Sequence, residues 1–330
     1  MPQPTDQSLP QLGVVIPTKN SRPYLPAHLK GLGEWLDLAA EVVVVDSFST
    51  DGTLEYLREH LKHPRVTYAT HPPGLYASWN HGIAQVRSEF VFIATTGDLI
   101  TREGIQKLLR AADDLKCDVV ISKPAFRDLN DQPLSDNWWP IDDIIAMLNV
   151  TAPQRLAKLE AVIFAVMQMK GAILGSSASN LYRTELMKRL PFPTEFGTTG
   201  DGAWGLQHAA EAVFGVVPGH FSSFLVHPAG GSDAEKKTYR EAARANAVLK
   251  AAMELWRRNG AINDDEFARL HWPELMDELT SYLDAKSAFD HNRREGLPWI
   301  LNPSAWKNRF ARERATARLQ KLRREILNSR

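Results

Sequence analysis

The stretch Glu41-Val42-Val43-Val44-Val45-Asp46-Ser47-Phe48-Ser49-Thr50-Asp51-Gly52-Thr53 decides how this chain is read. Four consecutive valines closed by a polar cluster are the pattern of a strand buried on both faces, as a parallel sheet requires. The polar residues after it then fall at the carboxyl edge, where open α/β sheets take their ligands. Asp46, first after the valines, is the side chain placed to meet a ligand there. About one βαβ unit earlier, Gly13-Val14-Val15-Ile16 makes a first apolar strand that ends in Pro17-Thr18-Lys19-Asn20.

Outward from this pair, short apolar runs alternate with helical periodicity. Strands are predicted at 14–16, 42–45, 65–68 and 90–94 and near Val119, with helices over 25–36, 54–61 and 103–115 and a loop running into a helix over 74–83. Ser49 and Thr50 are candidate caps for the second helix, whose amino end would favour a phosphate. A less regular stretch holds Asn137-Trp138-Trp139-Pro140, followed by a helical segment over 153–169. Beyond 235 the pattern is helical, over 234–259, 264–292 and 304–328, with Pro273 starting or kinking part of the second. The expected organisation is an α/β domain over 1–235 and a helical extension over 236–330.

Composition narrows the partners. With 330 residues, 44% of them hydrophobic, the chain can bury a large core. Lys plus Arg (39) equals Asp plus Glu (39), so nothing global points to nucleic acid. The first residues lack a basic and then apolar signal region, and the longest apolar stretch, 161–167, is too short to span a bilayer, so a cytoplasmic location is expected. The single cysteine, Cys117, precludes an internal disulfide and reads as the start of a buried strand. The last predicted helix is dense in Lys and Arg, with Trp306, Phe310, Leu319, Leu322 and Ile326 as its apolar members. The expectation is a detachable basic helix that lies on an anionic membrane, with a solvated face, docking on a partner or packing on the catalytic domain as alternatives.

The two strand ends resemble the amino-terminal signature of family-2 glycosyltransferases with the GT-A fold. There a first strand ends in Pro-(Thr/Ser)-x-Asn and a second in Asp-(Asp/Ser)-x-Ser-Thr-Asp-Gly-Thr, matched here by Pro17, Thr18 and Asn20 and by Asp46, Ser47, Ser49, Thr50, Asp51, Gly52 and Thr53. Gly74-Leu75-Tyr76-Ala77-Ser78-Trp79-Asn80-His81-Gly82-Ile83 resembles Gly-Ile-Tyr-Asp-Ala-Met-Asn-Lys-Gly-Ile, found in a bacterial subset that builds surface polysaccharides, with Ala77 in place of the Asp. The resemblance covers roughly residues 12–235. It implies a Rossmann-like GT-A domain with a mixed, mainly parallel sheet flanked by helices.

It also implies site residues. Thr95-Thr96-Gly97-Asp98 stands where the family carries its Asp-x-Asp-Asp metal motif and is similar to the Asn-Ser-Gly-Asp of some relatives, leaving Asp98 as the metal ligand. His227, in Val226-His227-Pro228, resembles the family's closing histidine, a second ligand that would favour Mn²⁺ over Mg²⁺. Gly200-Asp201 falls where the family places its catalytic base, so Asp201 is the implied base. Pro17, Thr18, Asn20, Asp46, Ser49, Asn80, Thr95, Thr96, Gly97 and Ser177 are the implied nucleotide-sugar contacts, with Asp46 accepting a ring N–H of uracil or another base.

The implied reaction is inverting transfer of a sugar, from UDP or another nucleotide, to a hydroxyl of a glycan or lipid-linked acceptor. Competing readings stand beside it. Asp51 before Gly52 is a turn residue, His227 is a loop histidine or a ligand, and Trp138, Trp139 and Trp204 stack on sugar or fill a core. A non-catalytic relative that binds a nucleotide-sugar or glycan is motivated by Thr95, Gly97 and Gly200 at acidic family positions. A nucleotidyltransferase is disfavoured because Pro17-Thr18-Lys19-Asn20 is not a Gly-rich loop with basic residues.

Overall fold

The valine run forms the strand its pattern predicts. In the computed structural model, which describes residues 11–135, 139–167, 173–175, 179–226, 241–294 and 303–328, four parallel strands come first. They are β1 (Leu12–Thr18), β2 (Ala39–Asp46), β3 (Val66–Thr70) and β4 (Phe90–Ile93), joined through α1 (Leu25–Gly33), α2 (Thr53–His60) and α3 (Leu75–Gln85). Val43 and Val45 enter one core and Val42 and Val44 the other, all at most 2% exposed. Burying each is worth roughly 1.5–3 kcal/mol. A strand flanked on both sides cannot slip by one residue without exchanging its two valine sets between cores.

The second half of the sheet is mixed. It contains β5 (Leu99–Ile100), α4 (Arg102–Asp114), β6 (Val119–Arg127), α5 (Pro140–Leu148), β7 (Gln154–Arg155), α6 (Lys158–Met167), β8 (Asn180–Arg183), α7 (Thr184–Arg189), α8 (Gly200–His208) and β9 (Phe214–Leu225). The strand order is β3-β2-β1-β4-β8-β6-β9-β5, with β7 on β9. The long pairings, including β6 with β9, are parallel, while β8 runs antiparallel between β4 and β6. Because β6 is antiparallel to β8, its carboxyl end lies on the same edge as those of β1, β2 and β4.

Four helices follow: α9 (Glu241–Arg258), α10 (Asp264–Arg269), α11 (Trp272–Arg294) and α12 (Pro303–Asn328). They do not build a separate core. Leu249, Trp256, Trp272, Leu275, Leu319, Leu322 and Ile326 belong to the cluster that also holds Val43, Val45, Phe192 and Trp204. The expected boundary at 235/236 lies outside the described residues.

Several elements depart from the reading of the sequence. The expected long helix over 153–169 is the short β7 followed by α6, and the irregular stretch around Pro140 becomes α5, with Pro140 in its first turn. The predicted helix over 264–292 is two helices, broken at His271, whose φ is 47°. Its Pro273 stands at the start of α11, where a missing N–H is harmless. The longest strand among the described residues, β9, gives no strand signal in the sequence because Pro218 and Gly219 interrupt its apolar run. Register shifts in the β6 pairing after Ile121 and Lys123 accommodate that interruption. Ser49 and Thr50 do not cap α2; the Thr53 N–H is accepted by Asp51 Oδ1 at 3.1 Å.

Candidate active site

Asp46 ends β2 at the carboxyl edge and is 2% exposed. Its Oδ2 accepts the Ser49 N–H at 2.9 Å, while Oδ1 is buried without a hydrogen-bond partner in the protein. Thr18, paired in register with Asp46 across β1 and β2, has a buried Oγ1 in the same condition. Leaving a buried polar atom unpaired costs about 1–3 kcal/mol. A ligand N–H or hydroxyl delivered to this corner would remove that cost.

The loops around the corner are tied together. Asn20 N–H donates to Ser49 Oγ at 2.9 Å, and Thr50 N–H donates to Asn20 Oδ1 at 2.9 Å. Asp51 accepts from Arg22 N–H at 3.0 Å and from Thr53 Oγ1 at 2.6 Å, which is the turn role expected of it. Asn20 and Ser49 therefore act on the corner by fixing the shape of its two loops.

The turn after β4 carries the expected metal residue. Gly97 sits at φ 104°, a conformation that favours glycine, and its carbonyl accepts from an Arg127 Nη2 N–H. Thr96 Oγ1 donates to the Pro17 carbonyl at 3.4 Å, joining this turn to β1. Asp98 Oδ1 accepts the Leu225 N–H at 2.9 Å, and burial pushes its carboxyl up to about 7 against the pull of that bond and of the Arg127 guanidinium. Among the described residues, no three His, Cys, Asp or Glu side chains converge into a metal cage. Mg²⁺ in nucleotide enzymes commonly needs only one or two carboxylates plus substrate phosphates. Asp98 with its remaining oxygen fits an ion of that kind.

Asp201 opens α8. Its carboxylate is hydrogen-bonded to the Tyr76 hydroxyl and accepts the Gly202 N–H at 2.6 Å; burial raises its pKa to about 6, against the lowering effect of both bonds. Tyr76 stands in the first turn of α3, just past the carboxyl end of β3. That contact brings Asp201 to the edge that holds Asp46 and Asp98.

Of the residues expected to contact a nucleotide-sugar, Asp46 and Thr18 stand at the edge with unsatisfied oxygens, and Pro17, Thr96 and Gly97 lie beside them. Thr95 opens the turn, its carbonyl accepting the Asp98 N–H at 3.0 Å. Asn80 spends its amide elsewhere: Nδ2 donates to the Phe192 carbonyl at 2.8 Å and Oδ1 accepts the Phe192 N–H at 3.0 Å. Ser177, His227 and Trp138 lie outside the described residues. Trp204 is fully buried with its indole N–H on the Leu190 carbonyl at 2.6 Å, so it fills the core. Trp139 is part-buried and packs on Phe126 at 5.2 Å. Arg127 carried no signal in the sequence, being one Arg at the end of a strand; Tyr76 had one, its place in the Gly74–Ile83 motif.

A mixed sheet of this order, with Asp46, the Thr95–Asp98 turn and Asp201 along one edge, defines a glycosyltransferase fold of the GT-A class. The chain belongs to glycosyl transferase family 2, whose model matches residues 13–213. Over 200 residues it is 26% identical to the poly(ribitol-phosphate) beta-N-acetylglucosaminyltransferase TarS of Staphylococcus aureus, in strains Mu50 and MW2 alike. That match takes in 58% of this chain and 31% of TarS. The crystal structure of S. aureus TarS 1–349 with UDP superposes at a TM-score of 0.51 with 17% identity, covering 97% of this chain and 92% of the other. The same fragment with UDP-GlcNAc gives 0.51 and 16% identity over 97% and 91%. At these identities the likeness is one of fold. No helix among the described residues is long and apolar enough to cross a membrane.

Proposed function

We propose that this chain is an inverting glycosyltransferase that moves a sugar from a UDP-sugar to a hydroxyl of a glycan or lipid-linked acceptor in polysaccharide biosynthesis, working in the cytoplasm. The observation that carries the proposal is Asp201, a part-buried carboxylate with its pKa raised to about 6 at the ligand edge of a family-2 fold. A general base works best with a pKa near the operating pH. The beta-N-acetylglucosaminyl transfer in the name of TarS, and the UDP-GlcNAc in one of its structures, make UDP-sugars the first donors to test.

In this reading the unpartnered Asp46 Oδ1 accepts the ring N–H of the base, and the Thr18 hydroxyl lies beside it. Pro17, Thr96 and Gly97 wall the diphosphate, with Arg127 holding the Gly97 carbonyl in place. Asp98, with His227 as the second expected ligand, would hold Mn²⁺ or Mg²⁺, which when bound neutralises the leaving diphosphate. Asp201 takes the proton from the acceptor hydroxyl as it attacks the anomeric carbon from the face opposite the diphosphate. One displacement inverts the centre. Exposed Lys307, Arg314, Lys321 and Arg324 on α12 are the surface we assign to an anionic membrane carrying a lipid-linked acceptor, at about 1 kcal/mol per basic residue near the lipid.

A second reading, a non-catalytic binder of nucleotide-sugar, is favoured by one observation: Asp98 Oδ1 is already committed to Leu225. Calorimetry with UDP and Mn²⁺, followed by donor hydrolysis and transfer assays, separates the two. Binding without turnover on any donor would leave the second.

Two expected results arise here. Asp201 must be ionised to act, so kcat should fall as pH drops through about 6 and level off above it. A profile flat from pH 5 to 8, an interval of about 3 units around that value, would remove Asp201 from the role of base. Separately, UDP affinity measured with Mn²⁺ and with EDTA should differ in the wild type, and Asp98→Ala should erase the difference. Equal affinity in both buffers for the wild type means that no cation takes part in binding UDP.

A further inference from the structure

The mechanism above leaves one well-placed group unused. Tyr76 and Asn80 are four residues apart on α3 and so share a face. Asn80 grips both backbone groups of Phe192, fixing the segment that leads into α8. The Tyr76 ring packs against Phe192 at 5.5 Å and Trp79 at 4.9 Å. Its edge occupies the space beside Gly200: a Cβ there would meet Tyr76 Cδ2 at 2.5 Å, Cε2 at 2.7 Å and the Pro193 carbonyl at 2.5 Å. Glycine at 200 is thus what lets the ring lie flush against the start of α8, with its hydroxyl on the next residue, Asp201.

We propose that Tyr76 is the positioning residue for the base: its hydroxyl donates to the Asp201 carboxylate and holds it in the orientation that receives the acceptor's proton. This rests on Asp201 being the base. The ring is held by Phe192, Trp79 and the gap at Gly200, so the hydroxyl has a fixed origin, and Asn80 fixes Phe192 in the segment that leads to α8. One face of α3 therefore sets both partners of the bond.

The bond also acts on ionisation. A hydrogen bond to a carboxylate favours its charged form, so Tyr76 works against the burial that raises Asp201. The titratable groups acting on Asp201 are Tyr76 from α3 and Tyr182 from β8. Tyr182 is itself buried, with a pKa pushed by burial beyond the usual phenol range, so it stays neutral across the working pH. Among the described residues, no cation acts on this carboxylate in place of the tyrosine hydrogen bond.

The test is Tyr76→Phe, which keeps the ring and its packing. We expect kcat at pH 7 to fall about tenfold and the acid limb of the kcat profile to move up by about one unit, the size of one charge-assisted hydrogen bond. UDP affinity should stay at its wild-type value, and the variant should still melt cooperatively, with a lower melting temperature above about pH 7 as the raised Asp201 pKa requires. Gly200→Ala, which displaces the ring instead of removing the hydroxyl, should move the limb in the same direction. A limb that stays at the wild-type position in Tyr76→Phe overturns the proposal and makes Tyr76 a packing residue. Asp201→Asn run alongside separates the two claims: loss of turnover there with an unmoved limb in Tyr76→Phe refutes only the tyrosine, whereas full turnover in Asp201→Asn refutes the base.

Discussion

Asp201→Asn is expected to abolish sugar transfer while UDP still binds with wild-type affinity. The amide has the shape of the carboxylate and its oxygen can still accept the Gly202 N–H, but it cannot accept a proton. A general base contributes about 10²–10⁴-fold, so kcat should drop by at least the lower figure. The proposed donor corner at Asp46 and Thr18 is built from other strands and is untouched. Stability should not suffer, and the sign follows from the raised pKa. A carboxylate whose folded-state pKa is raised stabilises the fold only while protonated, and above about pH 6 its buried charge works against folding. The amide removes that charge, so at pH 8, about 2 units above the pKa, the variant should melt no lower than the wild type. Steady-state kinetics, UDP calorimetry and a thermal melt on one preparation check all three. Wild-type turnover would exclude Asp201 as the base.

Deleting residues from 303 onward is expected to unfold the protein rather than release a tail. Leu319, Leu322 and Ile326 are 6%, 3% and 8% exposed within the main core. At roughly 1.5–3 kcal/mol each, these three side chains alone amount to a sum comparable with the total stability of a typical domain, about 5–15 kcal/mol. The buried Arg323 pairs with half-buried Asp143 at 3.1 Å and lies 4.6 Å over the Phe164 ring, and Arg318 pairs with Glu278 of α11 at 2.8 Å. The truncated chain should lose its cooperative thermal transition. A truncated protein that melts cooperatively at the wild-type temperature would show that the helix is an appendage. The membrane contact is tested apart from folding, by Lys321→Glu with Arg324→Glu on the exposed face: the melt should be kept, and co-sedimentation with anionic vesicles should weaken.

Much of the site was legible because its signals are local. The valines over 42–45 state their own burial, since neighbours in a strand face opposite sides. A parallel strand must then deliver Asp46 to the ligand edge whatever lies elsewhere in the chain. The turn role of Asp51 was equally legible, because Thr53 lies two residues away. Illegible were features whose partners are distant. The basic run of α12 gives no sign that the helix also packs on the core, where Arg323 meets Asp143, 180 positions away. Strand β9 was hidden by Pro218 and Gly219, which are breakers in isolation and tolerable only beside the shifted register of β6.

The sequence by itself determined the α/β alternation and the edge position of Asp46, because dihedral preference and period-two burial act over a few residues, while the resemblance to the family implied the places of Asp98 and Asp201. Only the tertiary structure decided what those residues do to one another. Asn80 finds Phe192 across 112 positions, Arg127 reaches the Gly97 carbonyl across 30, and Tyr76 meets Asp201 through the gap that Gly200 leaves. Contacts of that range leave no periodicity in the chain. They exist only when packing of the two cores brings the elements together, and that same packing raises the pKa of Asp201 to where a base is useful.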